Sequence, residues 1–489
     1  MSPAYRELLA AIQPELALVI GALVVLGLDL FGGQRRTSST RLWLATATGV
    51  IALGFAAMGA LAAGRSGSAF GGVFVLDALA LATRVGVIGL AALTLLLASA
   101  ERDLRNPAEY VAILLFATSG FTVMAVAQQL LLAFLALELA SLSLYVLAGF
   151  DKSRPESAEA ALKYFLVGGI SSAFLLFGFS LLYGLTGSLA FPEIARQLAA
   201  RDAGTLLIVA VTMVLVAFGF KVAAAPFHLW APDVYQGAPT TSAALIASAS
   251  KLAGFTLFLR LLWSGLAPSA GSVAHFGVSP GWLNVAALIA GLSLLVGNIA
   301  ALAQTNVRRL LAYSAIAHAG ALFLGVMAAG SAGPAPVFYY AATYGLATVG
   351  AFGVIAVVER AGGCQHLTDL AGLHRRSPLL AGCLLVFILS LAGIPPLAGF
   401  FGKFAVFAAA LKAGGLAGPL GWLTLAAIFL SAVALYYYLM ILKQALVAGP
   451  ADDSRAIPVP VSASVSLVLA AGLIVLLGVW PSLLLGAVR

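Results

Sequence analysis

The chain of 489 residues is 62% hydrophobic and only 9% charged, with a mean hydropathy of +1.07 and a formal net charge of +8. Soluble domains contain about 25% charged residues, so this composition excludes a water-soluble globular protein and indicates a polytopic membrane protein. The two cysteines, Cys364 and Cys383, lack the spacing of a metal or redox motif, and no Walker A, G-x-G-x-x-G or H-E-x-x-H sequence is present. We therefore expect no nucleotide, metal or other cofactor on this chain.

Apolar runs bounded by glycine, proline and charge clusters predict fourteen membrane spans. In chain order, spans 1 to 14 are residues 12–30, 41–63, 74–99, 108–127, 129–150, 158–183, 205–226, 238–263, 281–303, 307–328, 335–360, 378–411, 419–447 and 461–485. The first is expected to stay uncleaved, because it ends in GGQRR rather than in a small-residue cleavage site. The polar stretch 190–201 is typical of a short amphipathic helix at the membrane interface.

Two spans are predicted to be discontinuous. Span 7 runs into Pro226 and then into a segment that holds Pro232 and Pro239. Span 12 would be about 50 Å long if continuous, against a hydrocarbon core of about 30 Å, and it contains Gly393-Ile-Pro-Pro396. Proline removes a backbone donor, which at membrane depth is tolerated only where protein or water satisfies the backbone.

The two predicted breaks lie five spans apart, and because five is odd, a repeated five-helix unit would be inverted. We expect repeats at residues 108–264 and 281–447, preceded by three N-terminal helices (1–107) and followed by a C-terminal helix (461–489), within one membrane domain. The predicted fold class is an all-α polytopic membrane protein with about fourteen transmembrane helices, two inverted five-helix repeats and discontinuous helices 7 and 12.

Four ionisable side chains lie inside otherwise apolar spans: Glu138, Lys221, Lys251 and Lys403. Each opposes insertion by roughly 2.5–3.5 kcal/mol near the membrane centre, and such residues by default indicate an ion or proton pathway. Burial favours the neutral amine, so a buried lysine can donate and accept protons near neutral pH. We therefore predict a proton relay through these four residues.

Each candidate has a structural alternative. Glu138 and Lys221 could form a modulating ion pair or a static one, since buried charges need partners in any case. Lys251 and Lys403 could reach towards an interface, although Lys251 lies twelve residues beyond Pro239. The sequence favours the functional interpretation for all four.

Three further residues are weaker candidates for the relay. Lys163, at the start of span 6, could take part or could be simply interfacial. His228, beside the first break, and His318, in span 10, could relay protons or pack in the core. Arg84 is expected to be a structural cation that pairs with Asp77 or with a partner subunit.

The distribution of basic residues predicts the orientation. With the N-terminus outside, the inward loops hold fourteen lysines and arginines, whereas the outward regions hold six, namely Arg6, Arg65, Arg196, Arg201, Lys412 and Arg489. This bias predicts that both termini lie on the outer side of the membrane.

Three segments resemble one protein family: PFHLWAPDVYQGAPTTSAALIASASKLAGF (226–255), QTNVRRLLAYSAIAHAG (304–320) and LAGIPPLAGFFGKF (391–404). They are similar to the antiporter-like membrane subunits of respiratory complex I, the NADH–quinone oxidoreductase, and the resemblance covers essentially the whole chain. PDVYQGAPT and the lysine at 251 resemble the N-type members. M-type members carry glutamate at the position of Lys403, and the histidine that L- and M-type members carry in span 8 is absent.

The resemblance implies proton translocation in a quinone-reducing enzyme complex of the bacterial inner membrane. Glu138 would pair with Lys221, Lys251 would be the central lysine, and Lys403 the lysine on the exit side. NADH, FMN, iron–sulfur clusters and quinone would be bound by other subunits. The implied partners are the antiporter-like M-type and L-type subunits, the small K-type, J-type and A-type subunits, the H-type subunit that forms the quinone site, and the lipid bilayer, with no nucleic acid.

Two other functions remain open from the sequence. A secondary cation/proton antiporter subunit would use a similar scaffold, but a sodium site favours carboxylates and carbonyls, and this chain has one mid-membrane carboxylate among several lysines. A passive scaffold within the complex would tolerate alanine at all four charged positions.

Overall fold

The computed structural model describes residues 3–32, 37–64, 67–101, 104–200, 204–272, 281–449 and 456–488. Several arginines that enter the orientation count lie outside these residues: Arg35, Arg36, Arg65, Arg102, Arg201, Arg455 and Arg489.

The described residues are almost entirely α-helical. The helices are α1 (Pro3–Ala11), α2 (Gln13–Gly32), α3 (Ser38–Ala63), α4 (Ala78–Leu97), α5 (Pro107–Val126), α6 (Leu130–Ala148), α7 (Pro155–Thr186), α8 (Phe191–Ala199), α9 (Thr205–Lys221), α10 (Trp230–Gly237), α11 (Thr240–Ala247), α12 (Ala249–Arg260), α13 (Trp282–Leu302), α14 (Val307–Ala332), α15 (Ala335–Gly362), α16 (Leu373–Arg376), α17 (Pro378–Ala392), α18 (Ala398–Gly414), α19 (Pro419–Leu446), α20 (Val461–Val479) and α21 (Ser482–Leu485). Proline occupies the first position of α5, α7, α17 and α19, where its missing N–H has no helical partner to lose.

The fourteen predicted spans are confirmed. Twelve helical segments of the described chain are long and apolar enough to cross a membrane, and the shorter apolar helices α9 and α17 begin the two broken spans. One small correction concerns span 3. Its predicted first residues instead form the strand β2 (Phe74–Leu76), which pairs antiparallel with β1 (Gly67–Ala69), and α4 begins only after Asp77 caps its N-terminus.

Consecutive spans pack against each other in the same order in the two five-span repeats. In the first repeat α5 packs on α6, α6 on α7 and α7 on α9; in the second, α13 packs on α14, α14 on α15 and α15 on α17. The fourth span of each repeat is the discontinuous one, as predicted. Because each repeat has five spans, the second crosses the membrane in the opposite sense to the first.

At both breaks, side chains form hydrogen bonds with the backbone near the helix ends. Between α9 and α10, Trp230 Nε1 donates to the carbonyl of Phe220 (3.1 Å), and the Ala225 amide donates to Ser293 Oγ (2.8 Å). Between α17 and α18, the Gly399 amide donates to Ser390 Oγ (3.1 Å). A buried polar backbone group without a partner is costly, so these bonds make the breaks tolerable at membrane depth.

Span 8 is also interrupted, which the sequence did not predict. α11 ends at Ala247, Ser248 adopts φ −115° and ψ −83°, and α12 follows. The segment has no proline or glycine at this point; instead, Ser248 Oγ donates back to the Ala244 carbonyl (2.6 Å), a bond that bends helices. A π-helical turn, Leu261–Gly265, then ends the span.

Two buried arginines hold the N-terminal helices, one to each other and one to the first repeat. Arg84 on α4 donates to Glu15 (2.9 Å) on α2, and Arg260 at the end of α12 binds Asp77 through two hydrogen bonds of 2.9 and 2.6 Å. The expected pairing of Arg84 with Asp77 is therefore wrong, because Asp77 is held by Arg260. The short helix α8 occupies the predicted amphipathic stretch and buries its apolar face against the protein.

Replacing Asp77 with asparagine tests how much the Arg260 pair stabilises the fold. Asparagine also caps helices, so Asp77→Asn removes mainly the charge that Arg260 binds, and we expect the free energy of unfolding to fall by about 1–3 kcal/mol. Thermal unfolding in detergent can be followed with a thiol-reactive fluorogenic dye, because Cys364 and Cys383 are free and buried.

Asp29→Asn is the matched control, since the Asp29–Arg41 pair is bonded similarly but its arginine is 25% exposed, against 5% for Arg260, and its loss should cost less than about 1 kcal/mol. Burial acts to raise the pKa of Asp77, but the hydrogen bonds and charge of Arg260 outweigh it and hold the pKa below its ordinary value. This stabilisation is present above the ordinary carboxyl pKa and is lost as pH falls through the lowered one. Equal destabilisation by both variants would contradict the assignment.

Candidate functional site

Each of the three intramembrane lysines lies within two helical turns of a helix interruption. Lys221 is the last residue of α9, Lys251 is the third residue of α12 after the bend at Ser248, and Lys403 is the sixth residue of α18. All three are buried, with 3%, 1% and 9% of their surface exposed. The last turn of a helix offers unpaired carbonyls, and Lys403 binds one of these, that of Ala392 at the end of α17.

Lys221 and Glu138 are neighbours but do not form the expected direct ion pair. Lys221 Nζ donates to Ser141 Oγ (2.9 Å) on α6, one turn beyond Glu138 on the same helix. Glu138 instead accepts a hydrogen bond from Ser172 on α7. No contact within 4.0 Å joins the two charges, although the Glu138 carboxylate still acts electrostatically on the amine.

Lys251 is enclosed between two helices of the second repeat. Its amine donates to the carbonyl of Ala315 on α14 (2.5 Å) and lies 5.4 Å from the ring centre of Tyr344 on α15. An aromatic face attracts a cation at this distance. Lys221 lies beside the same helix as Lys251, because a Cβ built on Gly254 of α12 would be 3.7 Å from Lys221 Cγ.

Lys403 binds the backbone at the second break. Its amine donates to the carbonyl of Ala392 (2.9 Å), the last residue of α17, and its side chain packs against Gly393. Gly393 has φ +85°, which favours glycine and turns the chain out of the helix. The C-terminus of α17 carries partial negative charge, so it attracts the protonated amine.

His318 lies between Lys251 and Lys403. Its Nδ1 is hydrogen-bonded to Tyr340 Oη (2.7 Å) and its Nε2 to Tyr438 Oη (3.0 Å). Its ring is 4.7 Å from Tyr344, over which Lys251 lies, and the charges of both lysines act at the imidazole. Tyr340 in turn packs against Gly402, the neighbour of Lys403.

The three tyrosines around His318 were not recognised from the sequence, which gave Tyr340, Tyr344 and Tyr438 no role. A signal was present for two of them, because Tyr340 and Tyr344 are four residues apart and therefore share one face of α15. Tyr438 could not be recognised in the run Tyr436–Tyr438, since only the structure shows which of the three faces His318.

The remaining candidates lie apart from this row. His228 is buried in the break between α9 and α10, where its Nδ1 has no hydrogen-bond partner and its ring faces Tyr313 at 6.5 Å. Lys163 is 43% exposed and binds Asp233 (2.6 Å) and Glu159 (2.7 Å). This geometry favours the interfacial interpretation of Lys163.

The Lys163 site is an ion cluster that joins the two repeats. Arg309 on α14 also binds Asp233 (2.6 Å). Burial acts to raise the pKa of Asp233, but the hydrogen bonds from Lys163 and Arg309 outweigh it, so the carboxyl titrates below its ordinary range and stays ionised. Such a permanently paired group stabilises contacts and does not exchange protons readily.

Within the described chain, no group of three or more histidine, cysteine, aspartate or glutamate side chains could hold a metal ion. The row Lys221, Lys251, His318 and Lys403 consists of groups that gain or lose a proton without any covalent step. The hydroxyls of Tyr340 and Tyr438, which bind the imidazole of this row, also carry exchangeable protons.

Comparison with known proteins agrees with this arrangement. The sequence profile of the family described as NADH:quinone oxidoreductase/Mrp antiporter, TM, matches residues 127–435. The chain is 48% identical to NADH-quinone oxidoreductase subunit N 2 of Acidobacterium capsulatum over 504 residues, which cover 100% of both chains. It is similar to a chain of respiratory complex I from Thermus thermophilus with bound aureothin, at 33% identity and a TM-score of 0.79, with 97% of this chain and 98% of that chain covered.

The fold is also that of a chain of the Mrp complex from Dietzia sp., with a TM-score of 0.84 at 22% identity and coverage of 98% and 96%. The resemblance of the three sequence segments is thereby confirmed. The chain belongs to the NADH:quinone oxidoreductase/Mrp antiporter transmembrane family.

Proposed function

We propose that the chain is a proton-translocating membrane subunit of a NADH–quinone oxidoreductase. The observation that carries this proposal is the row of buried amines and hydroxyls that runs from Lys221 through Lys251 and His318 to Lys403. The relatives that match the whole length of the chain are subunits of such an enzyme complex. The chain contributes to the enzyme as a translocase subunit and performs no redox chemistry itself.

In this mechanism, protons pass between amines whose protonation depends on their surroundings. A shift of α6 relative to α9 would change how strongly Glu138 acts on Lys221 and so favour or disfavour the proton on that amine. The proton would move to Lys251, then through His318 and its tyrosines to Lys403, across residues 108–264 and then 281–447. Release of the Lys403 amine from the Ala392 carbonyl would complete the transfer.

The electron-transfer step would take place on other subunits, which would bind NADH, FMN, iron–sulfur clusters and quinone. We propose as partners the antiporter-like M-type and L-type subunits, the small K-type, J-type and A-type subunits, and the H-type subunit that forms the quinone site. Glu138 is half-buried on α6 and close to the surface of the chain, a position from which a neighbouring subunit could act on it.

A cation/proton antiporter is the main alternative, and the charged groups argue against it. A sodium site uses carboxylates and backbone carbonyls, whereas Glu138 is bonded to Ser172 and the other three charges of the proposed relay are amines. Exchange of sodium for protons by the purified chain in vesicles would favour the antiporter over the present proposal.

Lysine variants of the assembled complex test the relay directly. Lys221→Ala, Lys251→Ala and Lys403→Ala should each lower proton pumping and coupled quinone reduction at least about tenfold, because a positioned proton carrier typically contributes a hundredfold or more. Both rates are measured in membrane vesicles, together with the amount of assembled complex.

Lys412→Ala is the control, since Lys412 is exposed near the end of the same helix as Lys403. It should leave both rates unchanged. Normal pumping by the three relay variants would exclude the pathway, and normal pumping by all of them and by Glu138→Ala would support a passive scaffold.

The hydroxyls that hold His318 are tested by tyrosine variants. Tyr438→Phe removes the bond to Nε2 and Tyr340→Phe the bond to Nδ1, and the loss of one hydrogen bond of about 1 kcal/mol should slow pumping about fivefold. Tyr436→Phe on the same helix should have no effect, because Tyr436 is exposed. If His318→Ala pumps normally, the proton does not pass through this imidazole.

We propose a bacterial inner-membrane location with both termini on the periplasmic side. The support is the excess of basic residues in the inward loops. An alkaline phosphatase fused after residue 488 should therefore be active, whereas the same enzyme inserted in the loop at Gln365 should be inactive. The reverse pattern would invert the topology.

A further inference from the structure

A polar cavity opens on the side of the protein that the basic-residue bias assigns to the cytoplasm. Its volume is about 830 Å³, and it lies where the α4–α5 and α6–α7 loops meet the end of α15. Charged side chains of both signs line it, among them Glu101, Glu109, Arg154 and Glu359. A solvent-filled cavity with these side chains can bring protons close to the membrane domain.

A continuous series of hydrogen bonds leads inwards from this cavity. Glu101 accepts from both the backbone amide and the hydroxyl of Thr241, each at 2.7 Å. Thr241 Oγ1 is bonded to Tyr110 Oη (2.8 Å), which is bonded to Ser242 Oγ (3.2 Å). Thr241 and Ser242 belong to the first turn of α11, so the series begins at the cavity and ends inside span 8.

The same span carries Lys251, nine residues beyond Ser242 and about 13 Å along a helix. Five apolar residues, 243 to 247, follow Ser242, and polar side chains appear again from Ser248 onwards. Ser248 forms the bend, and the hydroxyls of Ser250 and Tyr235 are buried without a hydrogen-bond partner. Buried hydroxyls in native proteins are bonded to protein or to ordered water, so these two positions fit water molecules that bridge towards Lys251.

The surroundings of Glu101 suit a group that picks up protons. Burial raises the pKa of the Glu101 carboxyl, and the negative charge of Glu359 on α15 acts in the same direction. The hydrogen bonds from Thr241 on α11 and the charge of Arg308 on α14 oppose this shift, and Tyr110 faces the carboxyl from α5. The net result is a carboxyl that holds a proton more readily than an exposed one.

We propose that Glu101 is the uptake residue for protons that reach Lys251, and that Thr241, Tyr110 and Ser242 relay them inwards. A proton bound by the Glu101 carboxyl passes to Thr241 Oγ1 once that hydroxyl has turned to donate to Tyr110, which receives the hydroxyl's own proton. Tyr110 gives its proton to Ser242, and Ser242 gives its own to the bridging water that leads to Lys251. Each hydroxyl gains one proton and loses one, so no net chemistry occurs. The inference rests on the proposed function and adds to it the place at which protons enter the chain.

The test compares two glutamates of the same cavity in the assembled complex. Glu101→Gln should lower proton pumping and coupled quinone reduction at least about tenfold, with normal amounts of complex in the membrane. Glu109→Gln is the matched control, because Glu109 lines the cavity but is exposed and makes no bond to α11. Tyr110→Phe, which removes only the hydroxyl between Thr241 and Ser242, should slow pumping as well. If the complex does not assemble with Glu101→Gln, the pumping rate of Tyr110→Phe tests the uptake path instead.

The pH profile provides a readout that a purely structural role would not change. In the unmodified complex, uptake should fall as the pH on the cavity side rises through the raised pKa of Glu101, because fewer carboxyls then hold a proton to deliver. Glu101→Gln should lose this dependence, while Glu101→Asp should keep part of it.

The outcomes separate the two proposals. If Lys251→Ala abolishes pumping while Glu101→Gln and Tyr110→Phe pump normally, the uptake path is wrong and the proposed function stands. If Lys251→Ala also pumps normally, the proposed function itself fails.

Discussion

The whole arrangement depends on the need to satisfy backbone groups where a helix is interrupted within the membrane. Water is scarce there, so every carbonyl or amide that a break frees must find a partner in the protein. At the second break that partner is a residue of the proposed relay, because the carbonyl of Ala392 receives its hydrogen bond from Lys403. At the first break, Trp230 donates to the carbonyl of Phe220, and Ser293 accepts from the amide of Ala225. Lys221, at the end of α9, binds the side chain of Ser141 instead. The breaks thus create the positions that the lysines occupy.

The two repeats contribute different parts of one row. The first supplies Lys221 and Lys251, and the second supplies His318 and Lys403, with the contact made where Lys251 reaches the Ala315 carbonyl and the Tyr344 ring. In the proposed relay, a proton that leaves Lys251 would therefore cross from one repeat to the other. The hydroxyl of Tyr438 is bonded both to His318 and to Ser314, so the imidazole is held in place while its two nitrogens remain within reach of exchangeable protons.

Proline, glycine and isolated charges made much of the fold predictable, because each of them can be recognised in the sequence itself. The breaks at Pro226 and Gly393 and the buried positions of the lysines were anticipated for this reason. The bend at Ser248 was not, since a serine hydroxyl that bonds back to a carbonyl looks like any other serine in a helix. Partners distant in the sequence were equally hidden: the Arg84–Glu15 and Arg260–Asp77 bonds depend on how helices cross, which spacing along one helix does not reveal.

The buried cations of this protein divide into two groups by their partners. Arg84, Arg260 and Arg308 each have a carboxylate within 4.0 Å, and such pairs hold their charge permanently. Lys221, Lys251 and Lys403 have none among the described residues; each amine is bonded to one neutral oxygen, that of Ser141, Ala315 or Ala392. A neutral oxygen accepts a hydrogen bond from the ammonium and, more weakly, from the uncharged amine, so it fixes the charge less firmly than a carboxylate would. Arginine, which stays protonated in proteins, lies where a fixed charge joins helices, and lysine lies at the positions where the proposed relay requires a group that gains and loses its proton.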